Sequence, residues 1–252
     1  MGRERGERRV VAIVPAHERQ DTVGATVRAL LATGALDTVL VVDDGSGDAT
    51  SRSAAGAGAR VLRLVENRGK GGAVAAGLEA LVTGTEAVTD EDIVVFVDAD
   101  TGASAAEVTK LVRPVRDGTA DMTVAILPPA GGRGGFGLVR DLAAAGIFEA
   151  VGRVFAAPLS GQRAMTVGLA RSLRLAPRFG LEVGLTIDAV RNGARVVEVP
   201  TEFDHRHTGR SLGGFAHRIR QGRDLLAALL PRIGPGGVAR AGWRTLRGRL
   251  GR

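Results

Sequence analysis

The feature that most constrains the fold is an apolar run, Ile93–Val97, that is followed at once by Asp98 and Asp100. Its uncharged, largely β-branched residues predict a strand buried on both faces, as in a parallel sheet covered by helices. Ligands of open α/β sheets bind at the carboxyl ends of strands. Two acids held this close favour a divalent cation, which would relieve their repulsion. The alternative is a turn in which an Asp caps a helix beginning near Ser104.

Similar strands recur along the chain and alternate with helical patterns. We predict strands at Arg9–Val14, Thr38–Val42, Arg60–Val65, Ile93–Val97, Asp121–Leu127, a stretch beginning with Ser160 to Met165, and Arg195–Val199, and helices over 21–33, 73–81, 104–115, 138–155 and 180–188. Asp21 is the expected cap of the first helix. The glycine- and proline-rich stretch 128–135 predicts a mobile loop over a site or an exposed connection. Alternation of this kind predicts an α/β fold with a largely parallel sheet.

Composition narrows the class of protein. The chain has 252 residues, of which 44% are hydrophobic and 24% charged, so it can bury the core of one globular domain. It contains no cysteine, which excludes disulfides and thiol chemistry and fits a reducing compartment. No stretch reaches the roughly 20 apolar residues of a membrane span, and none resembles a signal peptide. We therefore expect a cytoplasmic protein.

The net charge of +7 belongs to the end of the chain. Residues 205–252 contain 11 arginines and one acid, Asp224, whereas the first 204 residues carry 23 basic and 26 acidic side chains. Phe215–Leu230 has an amphipathic pattern, and Trp243 follows among further arginines. This tail either packs its apolar side on the domain or lies on an anionic membrane surface at the inner face of the membrane. Nucleic acid is not expected as a partner, because the tail offers few aromatic faces for stacking.

A glycine-rich segment, Glu66–Gly72, precedes the third predicted helix and contains Lys70, one of only two lysines. Glycines allow a close backbone contact with an anion, and the start of a helix presents free amides. The segment matches neither the Walker loop nor the full G-x-G-x-x-G fingerprint. A phosphate-binding loop and a plain turn before a helix both remain open on these residues alone.

Four motifs stand in order, each after a predicted strand: Val14–Glu18, Val41–Thr50, Asn67–Gly71 and Asp98–Asp100. Together they resemble the GT-A-fold nucleotide-sugar glycosyltransferases of the large family that includes the dolichyl-phosphate and polyprenyl-phosphate sugar synthases. Gly180–Asp188 is similar to the matching helix of bacterial glucosyl-3-phosphoglycerate synthases, which share the fold. The resemblance implies a GT-A fold: a mostly parallel central sheet flanked by helices, a Rossmann-like nucleotide-binding half and, here, a basic helical tail.

The resemblance also implies a donor site. Pro15, Ala16 and Asp44 would line the nucleoside pocket, and Lys70 would lie near the base or the diphosphate. Asp98 would face the ribose and the metal. The donor implied is a nucleotide diphosphosugar, with a UDP-sugar favoured and a GDP-sugar as the other option.

The resemblance implies Mg²⁺ or Mn²⁺ as the cofactor, bound by Asp100 and bridging the two phosphates. A histidine after the last strand completes the metal shell in some related enzymes, and His205 is the candidate here. Arg206 and Arg210 would neutralise the diphosphate or an anionic acceptor. Glu18 stands where the family usually has an asparagine, so an acid at this point of the donor site is a departure.

On the acceptor side the sequence offers Glu182 as the first candidate for a base or acceptor contact and Asp188 as the second. Both could equally be ordinary helix acids. Polyprenyl-phosphate transferases commonly carry a carboxylate beside the glycine at Gly161, where this chain has Gln162 and Arg163. That departure favours a small phosphorylated acceptor, whereas the basic tail favours a polyprenyl phosphate.

The expected organisation is a disordered start at 1–8, a glycosyltransferase domain at 9–204, and a basic loop with a helical tail at 205–252. Within the domain, 9–125 would bind the nucleotide sugar and 126–204 the acceptor. The expected function is metal-dependent transfer of a sugar from a nucleotide diphosphosugar to a phosphorylated or lipid-phosphate acceptor. The alternatives are a sugar-phosphate nucleotidyltransferase and a non-catalytic nucleotide-sugar-binding membrane adaptor.

Overall fold

The fold is built on one sheet, seen in a computed structural model that describes residues 8–84, 87–128, 137–204 and 213–250. Its strands are β1 (Val10–Ala16), β2 (Thr38–Asp43), β3 (Arg60–Arg63), β4 (Ile93–Phe96), β5 (Met122–Ile126), β6 (Arg163–Thr166) and β7 (Val196–Pro200). They lie in the order β3-β2-β1-β4-β6-β5-β7. β1 pairs in parallel with β2 and β4, and β5 pairs in parallel with β7. The predicted mostly parallel sheet is confirmed.

β6 is the exception, because it runs antiparallel to both β4 and β5. Arg163, its first residue, pairs with Phe96, the last residue of β4. Antiparallel pairing therefore places the segment just before β6 beside Asp98, which follows β4. Alternation of strands and helices does not reveal this reversal, since periodicity carries no information about strand direction.

Helices cover both faces of the sheet. They are α1 (Val23–Ala32), α2 (Thr50–Gly56), α3 (Gly69–Thr83), α4 (Val108–Arg116), α5 (Gly137–Val151), α6 (Val167–Ser172), α7 (Leu181–Arg191) and α8 (Gly213–Leu250). Alternate residues of β1 and β4 pack on opposite faces: Ile13 and Phe96 join the cluster under α3, α5, α7 and α8, whereas Val14 and Val95 join the one under α1 and α4. The central strands are thus buried on both sides, as the apolar run predicts.

Several predicted helix starts differ from the structure. α1 begins at Val23, after Thr22, so the expected cap by Asp21 is wrong. α3 begins at Gly69 rather than Ala73, which brings Lys70 into the first helical turn. The helix expected from Ser104 begins as a 3₁₀ turn at Gly102–Glu107, whose N-cap is Thr101. Neither Asp98 nor Asp100 is that cap, so the capping interpretation of the acid pair is wrong.

The C-terminal helix α8 packs on the domain along much of its length. Leu225 and Leu229 are fully buried in the cluster that also holds α5 and α7. A Cβ on Gly180 would lie 2.6 Å from the Cβ of Ala228, so the turn before α7 fits tightly against α8. Gly234, with φ at 66°, interrupts the helical backbone. Of the two alternatives for the tail, packing on the domain holds for this part of α8; the side chains of 213–220 lie outside the described residues.

Candidate active site

Two acids, Asp43 and Asp44, stand where β2 ends. Asp43 is hydrogen-bonded within the turn that follows, whereas Asp44 is bonded to the start of α3. Asp43 accepts a hydrogen bond from the backbone amide of Ser46 at 2.9 Å and another from the Ser51 hydroxyl. Burial opposes its charge, but these hydrogen bonds and the charge of Arg63 outweigh it and lower the pKa of Asp43. Asp44, also buried, accepts from the backbone amide of Arg68 at 2.7 Å. Asp44 therefore ties the end of β2 to the start of α3.

Pro15 and Ala16 are the last residues of β1, where the resemblance puts the nucleoside pocket. The backbone amide of Asp44 donates to the carbonyl of Ala16 at 2.8 Å, so the two strand ends are joined. Glu18 has a left-handed backbone, with φ at 54°. Its Oε1 accepts from the amide of Gly47 at 2.7 Å, so this departure from the family pattern holds the turn after β2. Roles of these residues towards a donor stay predictions.

Lys70 is the centre of the site. Its Nζ lies 2.5 Å from Asp98 Oδ1 and 2.8 Å from Glu182 Oε1, and so connects the end of β4 to the first turn of α7. Burial disfavours the charged ammonium, but the two carboxylates outweigh burial and raise the pKa of Lys70 above its usual range. The lysine is therefore a fixed positive charge. Two carboxylates predicted for opposite halves of the site share it.

The segment before β6 completes the surroundings of Asp98. Gln162, fully buried, donates from Nε2 to Asp98 Oδ2 at 2.8 Å, while Lys70 binds the other oxygen. A Cβ on Gly161 would lie 2.2 Å from Lys70 Nζ and 2.8 Å from Asp98 Oδ2, so no larger residue fits there without displacing the ion pair. Sequence reasoning treated Gln162 only as a missing carboxylate. Its amide holds Asp98 without adding a negative charge.

Arg163 is fully buried beside this cluster, and sequence reasoning gave it no role. Its Nε donates to the carbonyl of Ser160 and its Nη1 to the hydroxyl of Thr186, each at 2.9 Å. Burial lowers the pKa of Arg163 to about 10, although the charges of Glu182, Glu198 and Asp98 favour its protonated form. The guanidinium is thus a second positive charge near Glu182.

Asp100 is the carboxylate that the resemblance assigns to the metal ion, and this role stays a prediction. It lies two residues beyond Asp98, and its Oδ2 is 3.9 Å from Nε of Arg19. Both oxygens of Asp98 contact side-chain donors, one Lys70 and the other Gln162. Hard carboxylate oxygens suit Mg²⁺ and Mn²⁺. Within the described ranges no three acidic or histidine side chains form a ready metal cluster.

Other predicted site residues lie elsewhere. Asp188 is on α7 with Glu182, but it forms a bidentate ion pair with Arg232 of α8, at 2.8 Å to Nε and 2.5 Å to Nη2. The structure does not bring it into contact with Lys70, and its position suits anchoring of α8. His205, Arg206 and Arg210, predicted for the metal and the diphosphate, fall outside the described residues, as does most of the loop predicted at 128–135.

A mostly parallel α/β sheet with carboxylates and a half-buried lysine gathered at its strand ends is the architecture of α/β proteins that bind ligands at that edge, nucleotides among them. Comparison with known families makes this specific. Residues 11–153 match the model of Glycosyl transferase family 2, and the chain belongs to that family. The predicted glycosyltransferase activity and GT-A fold are thereby confirmed.

The relatives with known functions include enzymes named for each of the two kinds of acceptor, a small phosphorylated one and a lipid phosphate. A glucosyl-3-phosphoglycerate synthase of Mycobacterium tuberculosis is 30% identical over 90% of this chain and 74% of its own length. An undecaprenyl-phosphate mannosyltransferase of Micrococcus luteus is 27% identical over 96% of this chain and 99% of its own. The first acts on a small phosphorylated acid and the second on a lipid phosphate, as their names state.

Solved structures of the M. tuberculosis synthase superpose on most of the chain. The complex with Mn²⁺, UDP and phosphoglyceric acid has a TM-score of 0.73 at 28% identity, covering 90% of this chain and 79% of that one. A complex with Mg²⁺ and UDP gives the same TM-score and identity, covering 90% and 80%. That enzyme therefore binds the cofactors and the nucleotide that the resemblance implies for this family.

Lys70→Met tests whether the lysine holds the site together. The change leaves two carboxylates without their shared cation, and we expect the free energy of unfolding to fall by about 1–3 kcal/mol, since Glu182 is buried while Lys70 and Asp98 are only half-buried. Urea denaturation measures this. The matched control is Lys110→Met, the other lysine, which pairs with Glu107 on the surface and should cost less than about 1 kcal/mol. Equal losses for the two variants would contradict the central position of Lys70.

Proposed function

We propose that this protein transfers a sugar from UDP-sugar to a small phosphorylated acceptor in the presence of Mg²⁺ or Mn²⁺. The observation that carries the proposal is the contact of Lys70 with both Asp98 and Glu182. It joins the carboxylate expected on the donor side to the one expected on the acceptor side.

On the donor side, Asp100 would ligate the metal ion, and Asp98 would face the ribose while Lys70 and Gln162 hold its two oxygens. The cation supplies neutralisation of the negative charge that develops on the departing nucleotide diphosphate. Lys70 is a fixed positive charge in the same place. Support for UDP comes from the solved structures of the M. tuberculosis synthase. GDP-sugars remain the comparison donors.

On the acceptor side, Glu182 is the carboxylate that contacts Lys70. It lies in the first turn of α7, is buried, and binds Lys70 through Oε1 while its buried Oε2 has no hydrogen-bond partner. A hydroxyl of the acceptor that reached this carboxylate would donate to it, and Glu182 would then orient the nucleophile or accept its proton. Glu182 therefore remains our first candidate for a base or acceptor contact, ahead of Asp188, whose carboxylate is taken up by Arg232.

The small acceptor is favoured over a lipid phosphate by Gln162. Polyprenyl-phosphate transferases commonly carry a carboxylate beside the glycine at Gly161, whereas here the neutral Gln162 binds Asp98 and adds no negative charge. A compact acceptor bearing its own phosphate and carboxylate groups would then meet fewer repelling charges. The relatives that synthesise glucosyl-3-phosphoglycerate support the same class of acceptor.

Asp100 allows a direct test of metal-dependent transfer. Purified protein with UDP-glucose, Mn²⁺ and 3-phosphoglycerate should release UDP and form a glycosylated acceptor, measured with a panel of UDP- and GDP-sugars. Asp100→Ala should lower this rate at least roughly 100-fold, because a metal-held leaving group is worth several kcal/mol. The control Asp117→Ala removes an exposed acid paired with Arg113 and should match the wild type. Metal-independent turnover, or no nucleotide release from any donor, would contradict the proposal.

A second candidate acceptor is a polyprenyl phosphate at a membrane surface. The observation favouring it is a stripe on α8: Trp243 and Leu246 are 63% and 54% exposed, while Ala241 on the other side of the helix is buried. Arg247 lies over the Trp243 ring and adds a positive charge beside the stripe. An amphipathic helix of this kind can lie on anionic lipid. No helix among the described residues is long and apolar enough to cross a membrane.

Vesicle binding decides between the two acceptors. If the stripe meets lipid, the protein should co-sediment with phosphatidylserine-containing vesicles at low salt, and Trp243→Ser with Leu246→Ser should abolish this. Val154→Ser, which changes another exposed apolar residue, is the control and should bind as the wild type does. Transfer to a polyprenyl phosphate that fails with the double variant would favour the lipid acceptor. Transfer to 3-phosphoglycerate that is unaffected by the double variant would favour the small one.

A further inference from the structure

Arg163 is an unusual residue to bury, and nothing in the proposed transfer uses it yet. Its side chain is among the largest fully buried ones of the described residues. Taking a guanidinium out of water is costly unless opposite charge and hydrogen bonds compensate. Of its donors, Nε and Nη1 have partners, whereas the buried Nη2 has none. The arginine therefore does not gain enough from hydrogen bonds alone to account for its place.

The partners of Arg163 point to α7. Nη1 donates to the hydroxyl of Thr186, and that hydroxyl donates to the backbone carbonyl of Glu182 at 3.0 Å. Residues four apart lie on the same face of a helix, so the guanidinium meets the face that carries Glu182. Because Arg163 is the first residue of β6, this contact holds α7 against the central sheet at Thr186, one helical turn beyond Glu182.

Charge gives the second link. Glu182 and Asp98 share the ammonium of Lys70. The ammonium lies 2.5 Å from Asp98 and 2.8 Å from Glu182. One cation between two acids leaves a net negative charge, and the charge of Glu182 is the foremost one stabilising protonated Arg163. The four side chains Asp98, Lys70, Glu182 and Arg163 alternate in sign and sum to zero.

We propose that Arg163 is a positioning residue for Glu182: through Thr186 and through its charge, it holds the carboxylate of Glu182 in place at the acceptor side of the site. This inference rests on the proposed function, because that function assigns Glu182 as the base or acceptor contact. Arg163 touches neither substrate nor metal in this account. Its loss should therefore slow transfer without weakening the donor site formed by Asp98 and Asp100.

The test compares transfer rates per donor-binding site. Calorimetry with UDP and Mn²⁺ counts the sites in each preparation, so that poorly folded protein does not count as slow enzyme. Arg163→Met should lower kcat roughly 10- to 100-fold, the range seen when a residue that orients a functional group is lost. The KM for the donor should stay within twofold of wild type. Arg163→Lys, which keeps the charge but not the fork of donors, should recover part of the rate.

Thr186→Val keeps the charge of Arg163 and removes only the hydroxyl, and should lower kcat on the order of 2- to 10-fold. Its matched control is Thr123→Val, which removes another fully buried hydroxyl, one that donates to Leu111, and should leave kcat per site unchanged. If the Arg163 and Thr186 variants lose only stability, with wild-type kcat per site, the positioning role is refuted and the transfer function stands. If the wild type binds UDP yet transfers to no acceptor, the proposed function fails and this inference fails with it.

Discussion

The ion pairs of one lysine organise this protein. Lys70 stands in the first turn of α3 and binds Asp98, from the end of β4, and Glu182, from the first turn of α7. Three segments far apart in the sequence are thereby fixed at one edge of the sheet. The features around them serve this contact: Gly161 leaves room for the ammonium, and Gln162 holds the other oxygen of Asp98. Removing a charge from such a cluster would cost both stability and geometry.

The family fold explains how these segments meet. Parallel strands deliver Asp44 and Asp98 to the same edge, where the first turn of α3 also lies. The reversed strand β6 then brings its preceding segment back to that edge from the second half of the chain. Nucleotide binding and acceptor binding are thus expected on two sides of a single strand end. In this arrangement one lysine contacts carboxylates from both halves of the chain.

Sequence reasoning predicted the strands of the first half and the acids at their ends well, because that half follows regular rules. An apolar run ending in acids, and a lysine between glycines before a helix, both predict positions relative to a sheet edge. It could not predict the Lys70–Glu182 contact, since local pattern says nothing of pairing across the chain. Nor did it assign Arg163, because a lone arginine at the start of a short strand gives no signal of burial. For α8, amphipathicity predicts a partner surface without saying which; the buried Leu225 and Leu229 show that the domain itself is one.

The most direct test of the account is a double-mutant cycle on Lys70 and Glu182, with kcat/KM for transfer measured for Lys70→Met, Glu182→Gln and the pair. If the lysine acts by coupling the two carboxylates, the second change should cost little once the first is made. The double variant should then be about as slow as the slower single variant, a coupling of about 1–3 kcal/mol. Losses that multiply independently, to within about a factor of two, would show that the two residues work apart and would contradict the account.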